Sequence, residues 1–267
     1  IHDYLTRRDQ SEIGIPGMRV THVWAQTPKE RQQIADVANI QNIVDTPAAM
    51  AREVDAAIIA RDDWESHLEL SIPFLKAGIP VFIDKPLSLK LDDLRAFAPF
   101  LESGQLMSTS GLRYAYELDE YRQKSRESSP TFVSGAVVSN WDRYGIHLLD
   151  AIFGGTDLDV ASVTACDAGV FTAILTCNEG PQIVLSCTGL PHKIFNLRIL
   201  FSDAHLCVDL LDNFTAFRRT LSHFLRSIED ETPAIPPQQT LKILRILIAG
   251  KRSAELGRPV ELDEIAV

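Results

Sequence analysis

Two short charged segments in the first half of the sequence are suited to holding a ligand and moving a proton. Arg61-Asp62-Asp63 directly follows an apolar run, and Asp84-Lys85-Pro86 follows the next one. Lys85 lies between a predicted buried strand and a proline, so its side chain cannot swing freely into solvent. Partial burial lowers the pKa of an ammonium group toward the range in which it serves as an acid or base. The simpler alternative is a surface lysine at the start of a loop.

An alternation of strand and helix patterns positions these two segments. The first half predicts strands at 18–24, 55–60, 80–84 and 105–109, and helices at 28–38, 66–77 and 91–101. The run 55–60 is almost wholly apolar, which indicates a strand covered on both faces. Pro73 predicts a kink or an early restart in the second helix. The alternation predicts an α/β fold with a doubly wound parallel sheet, which binds ligands at the carboxyl ends of its strands.

The second half of the chain has an α+β pattern with a mostly antiparallel sheet. A charged helix is predicted at 112–126, a strand at 131–139 and an amphipathic helix at 144–153. Strands at meander spacing follow at 160–164, 170–177, 182–187, 194–201 and 204–210. Helices at 214–228 and 240–254 complete the pattern. We therefore expect two domains, 1–112 and 113–267.

Composition argues against several classes of protein. Acidic residues outnumber basic ones 36 to 26, and the net charge of −10 disfavours binding to nucleic acid or to an anionic membrane. No apolar run approaches the ~20 residues of a membrane span, and no secretory leader pattern is recognised. The four cysteines fit neither a zinc knuckle nor a disulfide framework. We expect reduced thiols in a cytoplasmic protein, with no metal bound.

A set of motifs occurs in a fixed order along most of the chain. They are Val54-Asp-Ala-Ala-Ile-Ile-Ala60, His67, Ala77-Gly78-Ile-Pro-Val-Phe-Ile-Asp84-Lys85-Pro86-Leu87, Arg113-Tyr114, Tyr144-Gly145-Ile146-His147-Leu-Leu-Asp150 and Ser253-Ala-Glu-Leu-Gly257-Arg-Pro-Val260. Together they resemble the glucose–fructose oxidoreductase/inositol dehydrogenase (Gfo/Idh/MocA) family. The resemblance implies a Rossmann-like dinucleotide-binding domain over 1–112. It also implies a substrate and oligomerisation domain over 113–267, with an open sheet and a C-terminal helix.

The resemblance also implies roles for individual residues. Lys85 would lie beside nicotinamide and substrate and assist proton transfer from the reacting hydroxyl, with His147 as a second acid/base. His67 would hold the cofactor loop in shape. The remaining candidates are Ala25, Gln26, Thr27, Ala60, Arg61, Asp84 and Pro86 for the cofactor, and Arg113, Asp142 and Tyr144 for the substrate. The alternatives are a structural His67 and a His147 that merely packs against Tyr144 and Phe153.

Three positions depart from the family pattern. Asp84 replaces the usual Glu, and Arg143 stands where many active members carry an Asp four residues before the histidine. The segment 25–27 reads Ala-Gln-Thr, where an acid would hold the ribose 2′-hydroxyl of NAD. The cofactor is therefore NAD or NADP, with a lean to NADP, although no arginine follows at once to hold a 2′-phosphate.

No Gly-x-Gly-x-x-Gly phosphate loop occurs in the sequence. In a doubly wound sheet this loop follows the central first strand, whose loss would expose unpaired strand edges. We interpret 1–8 as the helix that follows the loop. We accordingly expect roughly a dozen to twenty residues to precede Ile1 in the natural protein.

The sequence thus predicts an NAD(P)-dependent oxidoreductase acting on a hydroxyl or keto group of a small polyol, sugar or cyclitol. Family resemblance implies a homodimer or homotetramer through the sheet of the second domain. Neither nucleic acid nor a membrane is an expected partner. The alternative is a catalytically degenerate relative that serves as a binding or assembly subunit, which Asp84, Arg143 and Ala25 favour.

Overall fold

The computed structural model describes residues 7–189 and 193–267. Most of the helix predicted at 1–8 lies outside the described residues, and Arg7 and Arg8 are not helical. Within the described ranges, none of the helices combines the length and apolarity needed to cross a membrane.

Parallel strands and helices alternate in the first half of the chain, as predicted, but the strand expected at 18–24 is confined to His22–Val23 and the strand Asn42–Ile43 was not predicted. The strands are β1 (His22–Val23), β2 (Asn42–Ile43), β3 (Ala57–Ile59), β4 (Val81–Asp84) and β5 (Leu106–Thr109). The helices are α1 (Pro28–Ala38), α2 (His67–Lys76) and α3 (Leu91–Glu102). Strands β3, β4 and β5 pair in parallel in chain order, and β1 pairs in parallel with β2. The carboxyl ends of β3, β4 and β5 consequently lie along one edge.

Local sequence explains where the first helix begins. Thr27 caps α1 by accepting a hydrogen bond from the Glu30 amide, and the Glu30 carboxylate accepts one from the Thr27 amide in return. Pro28 occupies the first turn, where its missing N–H is not needed. The capping box therefore places the segment 25–27 at the carboxyl end of β1.

Two expectations for the first half are wrong. Helix α2 does not restart at Pro73, because it runs without a break from His67 to Lys76. Strand β3 is not covered on both faces, since Ile58 is 39% exposed. Strand β3 lies at the edge of its three-stranded sheet.

The second half forms a seven-stranded mixed sheet packed against helices. Its strands are β6 (Phe132–Val137), β7 (Val160–Asp167), β8 (Phe171–Cys177), β9 (Gln182–Cys187), β10 (Phe195–Leu200), β11 (His205–Asp209) and β12 (Val260–Glu261). The helices are α4 (Asp119–Lys124), α5 (Ile146–Phe153), α6 (Asn213–Glu229) and α7 (Pro237–Leu256). Helix α5 is wholly buried, and α7 packs along β7.

The order of the sheet departs from the predicted meander. Strand β6 lies between β10 and β9, antiparallel to the first and parallel to the second. The order is therefore β11-β10-β6-β9-β8-β7-β12. The alternation of apolar and polar residues in each strand shows which face is buried, but it does not determine which strand lies beside it.

The helix predicted at 112–126 is also corrected. Two 3₁₀ turns, Gly111–Tyr114 and Tyr116–Leu118, precede the short helix α4. The buried residues Leu112, Ala115, Leu118 and Tyr121 recur every three positions, which suits a 3₁₀ turn better than an α-helix. The proposed boundary between 112 and 113 falls inside the first of these turns, and the division into two domains stays a prediction.

Candidate active site

Strand β4 delivers Lys85 to the edge where the parallel strands end. Its ammonium Nζ lies 3.2 Å from Asp84 Oδ2 and 3.7 Å from Asp62 Oδ1, and its side chain is only 11% exposed. The peptide bond between Lys85 and Pro86 is cis. The structure therefore holds a nearly buried cation between two carboxylates that come from neighbouring strand ends.

Asp84 carries an oxygen that the rest of the chain does not use. Its Oδ1 is buried, and within residues 7–189 and 193–267 it has no hydrogen-bond partner. Burial raises the pKa of Asp84, and the Lys85 ammonium opposes that rise. Because buried polar atoms normally find partners, an unpaired acceptor beside Lys85 fits a site that a ligand completes.

His147 lies in the first turn of α5. Its Nδ1 is 2.6 Å from Ser110 Oγ, and its ring packs against those of Tyr144 and Phe195, with centroid distances of 5.2 and 5.7 Å. Burial, with a further contribution from the charge on Lys85, lowers the pKa of His147 to about 3. The structure thus brings the Lys85 ammonium and a neutral imidazole within electrostatic reach of each other.

A buried ion pair between Asp150 and Arg113 supports the arrangement of Ser110 and His147. Asp150 accepts a hydrogen bond from the Ser110 amide at 2.7 Å and one from the Arg113 guanidinium at 3.1 Å. Arg113 also donates to Gln239 of α7. The network ties the end of β5 to α5 and α7. Arg113, proposed as a substrate residue, thus has its guanidinium occupied inside the protein.

Two residues of this network, Ser110 and Gln239, carried no signal in the sequence. Both are polar residues without a motif, and each meets its partner across a long stretch of chain. Asp150 could have been found, because it follows His147 by three positions and therefore shares its helix face. Lys85 and Asp150 both line a small cavity at this junction.

The candidate cofactor residues fall at the ends of β1, β3 and β4. Arg61 binds both carboxylate oxygens of Asp63, at 2.7 and 2.9 Å, and donates to the Gln26 side chain at 3.3 Å. His67 is fully buried, with one ring nitrogen 3.1 Å from Arg61 O and the other 3.1 Å from Leu87 O. His67 therefore ties together the loops that follow β3 and β4. Ala60 is exposed, and Pro86 is buried beside Lys85.

The remaining substrate candidates are divided between two places. Tyr144 packs on His147, whereas Asp142 pairs with Lys251 of α7 at 2.7 Å. Asp142 lines an open cleft of about 510 Å³ at the ends of β6, β8 and β9, which is also lined by Ser139, Asn140, Trp141, Phe171, Lys251 and Glu255. Neither Lys85 nor His147 lines this cleft. Among the described residues, no group of His, Cys, Asp and Glu side chains is arranged to hold a metal ion.

Acidification should weaken the fold through His147. In the unfolded chain a histidine takes up its proton near pH 6.5, whereas the folded protein holds the pKa of His147 at about 3. The unfolded state therefore binds more protons between these values, so stability falls as the pH is lowered. From pH 7 to pH 5 the loss due to this residue is about 2 kcal/mol.

Urea unfolding of the native protein and of His147→Gln at both pH values measures this loss. The other titrating groups, Asp84 and Asp150 included, are common to both proteins and cancel in the comparison. Equal losses in the two proteins would contradict the low pKa of His147.

The fold and the site together define a class of protein. Parallel β/α units present charged residues at the carboxyl ends of their strands, which is the layout of a dinucleotide-binding Rossmann protein. Side chains of α5 and α7 line a small cavity at that edge together with Lys85. Residues 2–111 match the family GFO_IDH_MocA, described as "Oxidoreductase family, NAD-binding Rossmann fold". The resemblance to the Gfo/Idh/MocA family seen in the sequence is therefore confirmed over this part of the chain.

One curated relative is similar over a part of its length. It is a "Putative UDP-kanosamine synthase oxidoreductase subunit" of Amycolatopsis mediterranei (strain S699), 31% identical over 97 residues. The matched segment is 36% of this chain and spans only 27% of the relative.

Solved structures share the fold over nearly the whole chain. The scyllo-inositol dehydrogenase from Lactobacillus casei, with bound NAD(H) and scyllo-inositol, has a TM-score of 0.81 at 13% identity and covers 94% of each chain. The myo-inositol 2-dehydrogenase from Lactobacillus plantarum has a TM-score of 0.80 at 16% identity and covers 93% of each chain. At these identities the likeness establishes the architecture of both halves.

Proposed function

We propose that this chain is an NAD(P)-dependent oxidoreductase acting on a hydroxyl or keto group of a small polyol, sugar or cyclitol. The observation that carries the proposal is that Lys85, at the end of β4, lines one cavity with Asp150 of α5, the helix that also carries His147. The family match of residues 2–111 supports the nucleotide-binding part. The inositol dehydrogenases that share the fold support the substrate class.

The residues at the strand ends would hold the cofactor. The Arg61 side chain donates a hydrogen bond to the Gln26 side chain beyond the ends of β1 and β3. Asp84, at the end of β4, has an Oδ1 without a partner among the described residues. A bound nicotinamide would supply or accept the hydride, which no protein side chain can do. His67 would keep the two loops in register, a positioning role rather than a chemical one.

Lys85 and His147 would handle the reacting oxygen. Lys85 would exchange a proton with it, and the ammonium charge would stabilise negative charge that develops there. His147 is neutral at neutral pH because its pKa is about 3, so it would act as the second acid–base or hydrogen-bonding group. Arg113 would position this pair through Asp150 rather than touch the substrate.

Tyr144, which packs on His147, would line the substrate side of the site. Asp142 lies in a separate open cleft that neither Lys85 nor His147 lines, so it would not contact a substrate that reacts at that pair.

We propose NAD as the cofactor, in place of the NADP that the segment 25–27 favoured in the sequence analysis. The two arginines that bond to the segment 25–27 are already paired with carboxylates. Arg31 binds Asp45 at 2.7 Å and Arg61 binds Asp63. Neither guanidinium is therefore available to bind the 2′-phosphate of NADP.

Thermal unfolding with added cofactor tests the proposal. At ten times its Kd, NADH should add about 1.4 kcal/mol of stability and raise Tm by about 3 to 6 °C, and NADPH should raise it less at the same concentration. Turnover is then followed by NADH absorbance with a panel of polyols and cyclitols. If neither dinucleotide raises Tm at millimolar concentration, the proposal fails. Binding without any turnover would favour the degenerate subunit.

We further propose that the protein is a cytoplasmic homodimer or homotetramer formed through the outer face of the seven-stranded sheet. Ile174 and Val184 lie opposite each other on that face and are only partly buried, while the inner face is covered by helices. Sedimentation velocity would distinguish this assembly from a monomer.

A further inference from the structure

We propose that the hydroxyl of Ser110 selects the tautomer of His147, so that the neutral imidazole keeps its proton on Nε2 and acts as a hydrogen-bond donor. His147 would then hold the reacting oxygen, and Lys85 alone would exchange the proton. The catalytic part of this inference rests on the proposed function. The tautomer itself can be measured without cofactor or substrate.

The contacts of Ser110 limit what its hydroxyl can do. Ser110 is fully buried, and its Oγ accepts a hydrogen bond from the Leu112 amide at 3.1 Å. The same Oγ lies 2.6 Å from His147 Nδ1. Within the described part of the chain, Nδ1 is the one acceptor bonded to this hydroxyl.

Two arrangements of the proton are possible in the Ser110–His147 bond. If Nδ1–H donated to Oγ, the Ser110 hydroxyl hydrogen would be left buried without an acceptor, which is unfavourable. If Oγ–H donates to Nδ1, the hydroxyl both accepts from Leu112 and donates to His147, and every group is satisfied. The second arrangement leaves the single ring proton on Nε2.

The surroundings keep this geometry in place. Asp150 accepts from the Ser110 amide at 2.7 Å and is itself paired with Arg113, so the position of Oγ is set by a buried network. The positive charge of Lys85 disfavours a second ring proton on His147. Nε2 makes no hydrogen bond within residues 7–189 and 193–267, and it is therefore free for a ligand.

The chemical consequence differs from that of an imidazole paired with a carboxylate. A carboxylate accepts from Nδ1–H and leaves Nε2 as a base, whereas a hydroxyl that donates to Nδ1 leaves Nε2–H as a donor. Neutral imidazole is too weak an acid to give up its only proton near pH 7, so it polarises the oxygen without transferring a proton. In the reduction of a keto group, the proton would move from Lys85 Nζ to the oxygen. In the oxidation of a hydroxyl it would return from the oxygen to Lys85 Nζ.

Nitrogen NMR on the ligand-free protein labelled with ¹⁵N-histidine tests the tautomer. At pH 7 we expect His147 Nδ1 to be unprotonated and to accept a hydrogen bond, with the proton on Nε2. The loss of its signals in His147→Gln assigns them. A proton on Nδ1 in the native protein would overturn the proposal.

Substitutions test whether Ser110 is responsible. In Ser110→Ala the Nδ1 signal should move to the position of a nitrogen without a hydrogen bond, and Ser110→Thr should restore it. The matched control is Ser227→Ala, a buried serine that bonds to Phe224 O and should leave His147 unchanged. An unmoved Nδ1 signal in folded Ser110→Ala would contradict the assignment. If Ser110→Ala does not fold, the native spectrum and Ser110→Thr still decide.

Kinetics add a readout that a purely structural role would not produce. Ser110→Ala should lower kcat about ten-fold with KM within about two-fold, and Ser110→Thr should recover most of the rate. Equal kcat in Ser110→Ala and the native protein would count against a positioning role. If no protein turns over any substrate, the proposed function fails while the tautomer measurement still stands.

Discussion

Substitution of Lys85 by methionine should lower kcat by about 10²- to 10⁴-fold, the usual effect of removing a general acid–base group. The ammonium lies beside Asp84 and Asp62 at the end of β4, and its charge reaches His147. Methionine preserves the length and apolar stem of the side chain but carries neither charge nor proton. The measurement is kcat by NADH absorbance at saturating substrate.

Two controls separate the chemistry of Lys85 from its effects on folding and binding. Lys90→Met removes an exposed lysine that lies over the Trp64 ring, and it should leave kcat within about two-fold. The Kd for NADH should change less than kcat. Full activity of Lys85→Met would show that proton transfer does not depend on this residue.

The same variant has a readout that does not need turnover. Because the charge on Lys85 contributes to the low pKa of His147, removing it should raise that pKa from about 3. A ¹⁵N-histidine titration of the ligand-free protein measures the change. An unchanged titration would mean that the two groups are not in electrostatic contact.

Substitution of Asp150 by alanine should destabilise the protein by about 3 to 5 kcal/mol. The side chains of Asp150 and Arg113 are 4% and 7% exposed, so the variant leaves a buried guanidinium without its carboxylate. The Ser110 amide loses its acceptor at the same time. Urea unfolding at pH 7 gives the free energy, with the slope m checked for constancy.

A surface pair provides the matched control. Lys242 and Asp157 are 2.8 Å apart, but Asp157 is 65% exposed, so Asp157→Ala should cost less than about 1 kcal/mol. The double variant Arg113→Met, Asp150→Leu removes both charges and should recover part of the loss. A loss below 1 kcal/mol in Asp150→Ala would mean that the buried pair does not support the site.

Much of the local structure could be predicted from the sequence because its causes are local. Thr27, Pro28 and Glu30 determine where α1 begins, and the apolar run before Asp84 determines β4. The motifs taken together in their order along the chain sufficed to recognise the family resemblance, and Lys85 lies in one of them. That motif also placed the lysine at a strand end, where a parallel sheet presents its ligand-binding residues.

Tertiary contacts decided how the candidate residues are used. The sequence does not show that the guanidinium of Arg113 is taken up by Asp150 and Gln239, or that Asp142 faces a cleft beside Lys251. These partners are far apart in the chain and belong to no periodic pattern. Their pairing depends on the packing of α5 and α7.

The difference between what the sequence predicted and what the tertiary structure decided follows from the range over which the interactions act. Periodicity, caps and motif spacing act within a few residues, so the sequence alone determined most β/α units of the first half, the family resemblance and the position of Lys85. The insertion of β6 between β10 and β9, and the contact of Ser110 with His147 across 37 positions, were decided only by the tertiary structure. Strand order and buried polar pairs depend on which surfaces, distant in the sequence, pack against each other in the folded protein. No local sequence pattern contains that information.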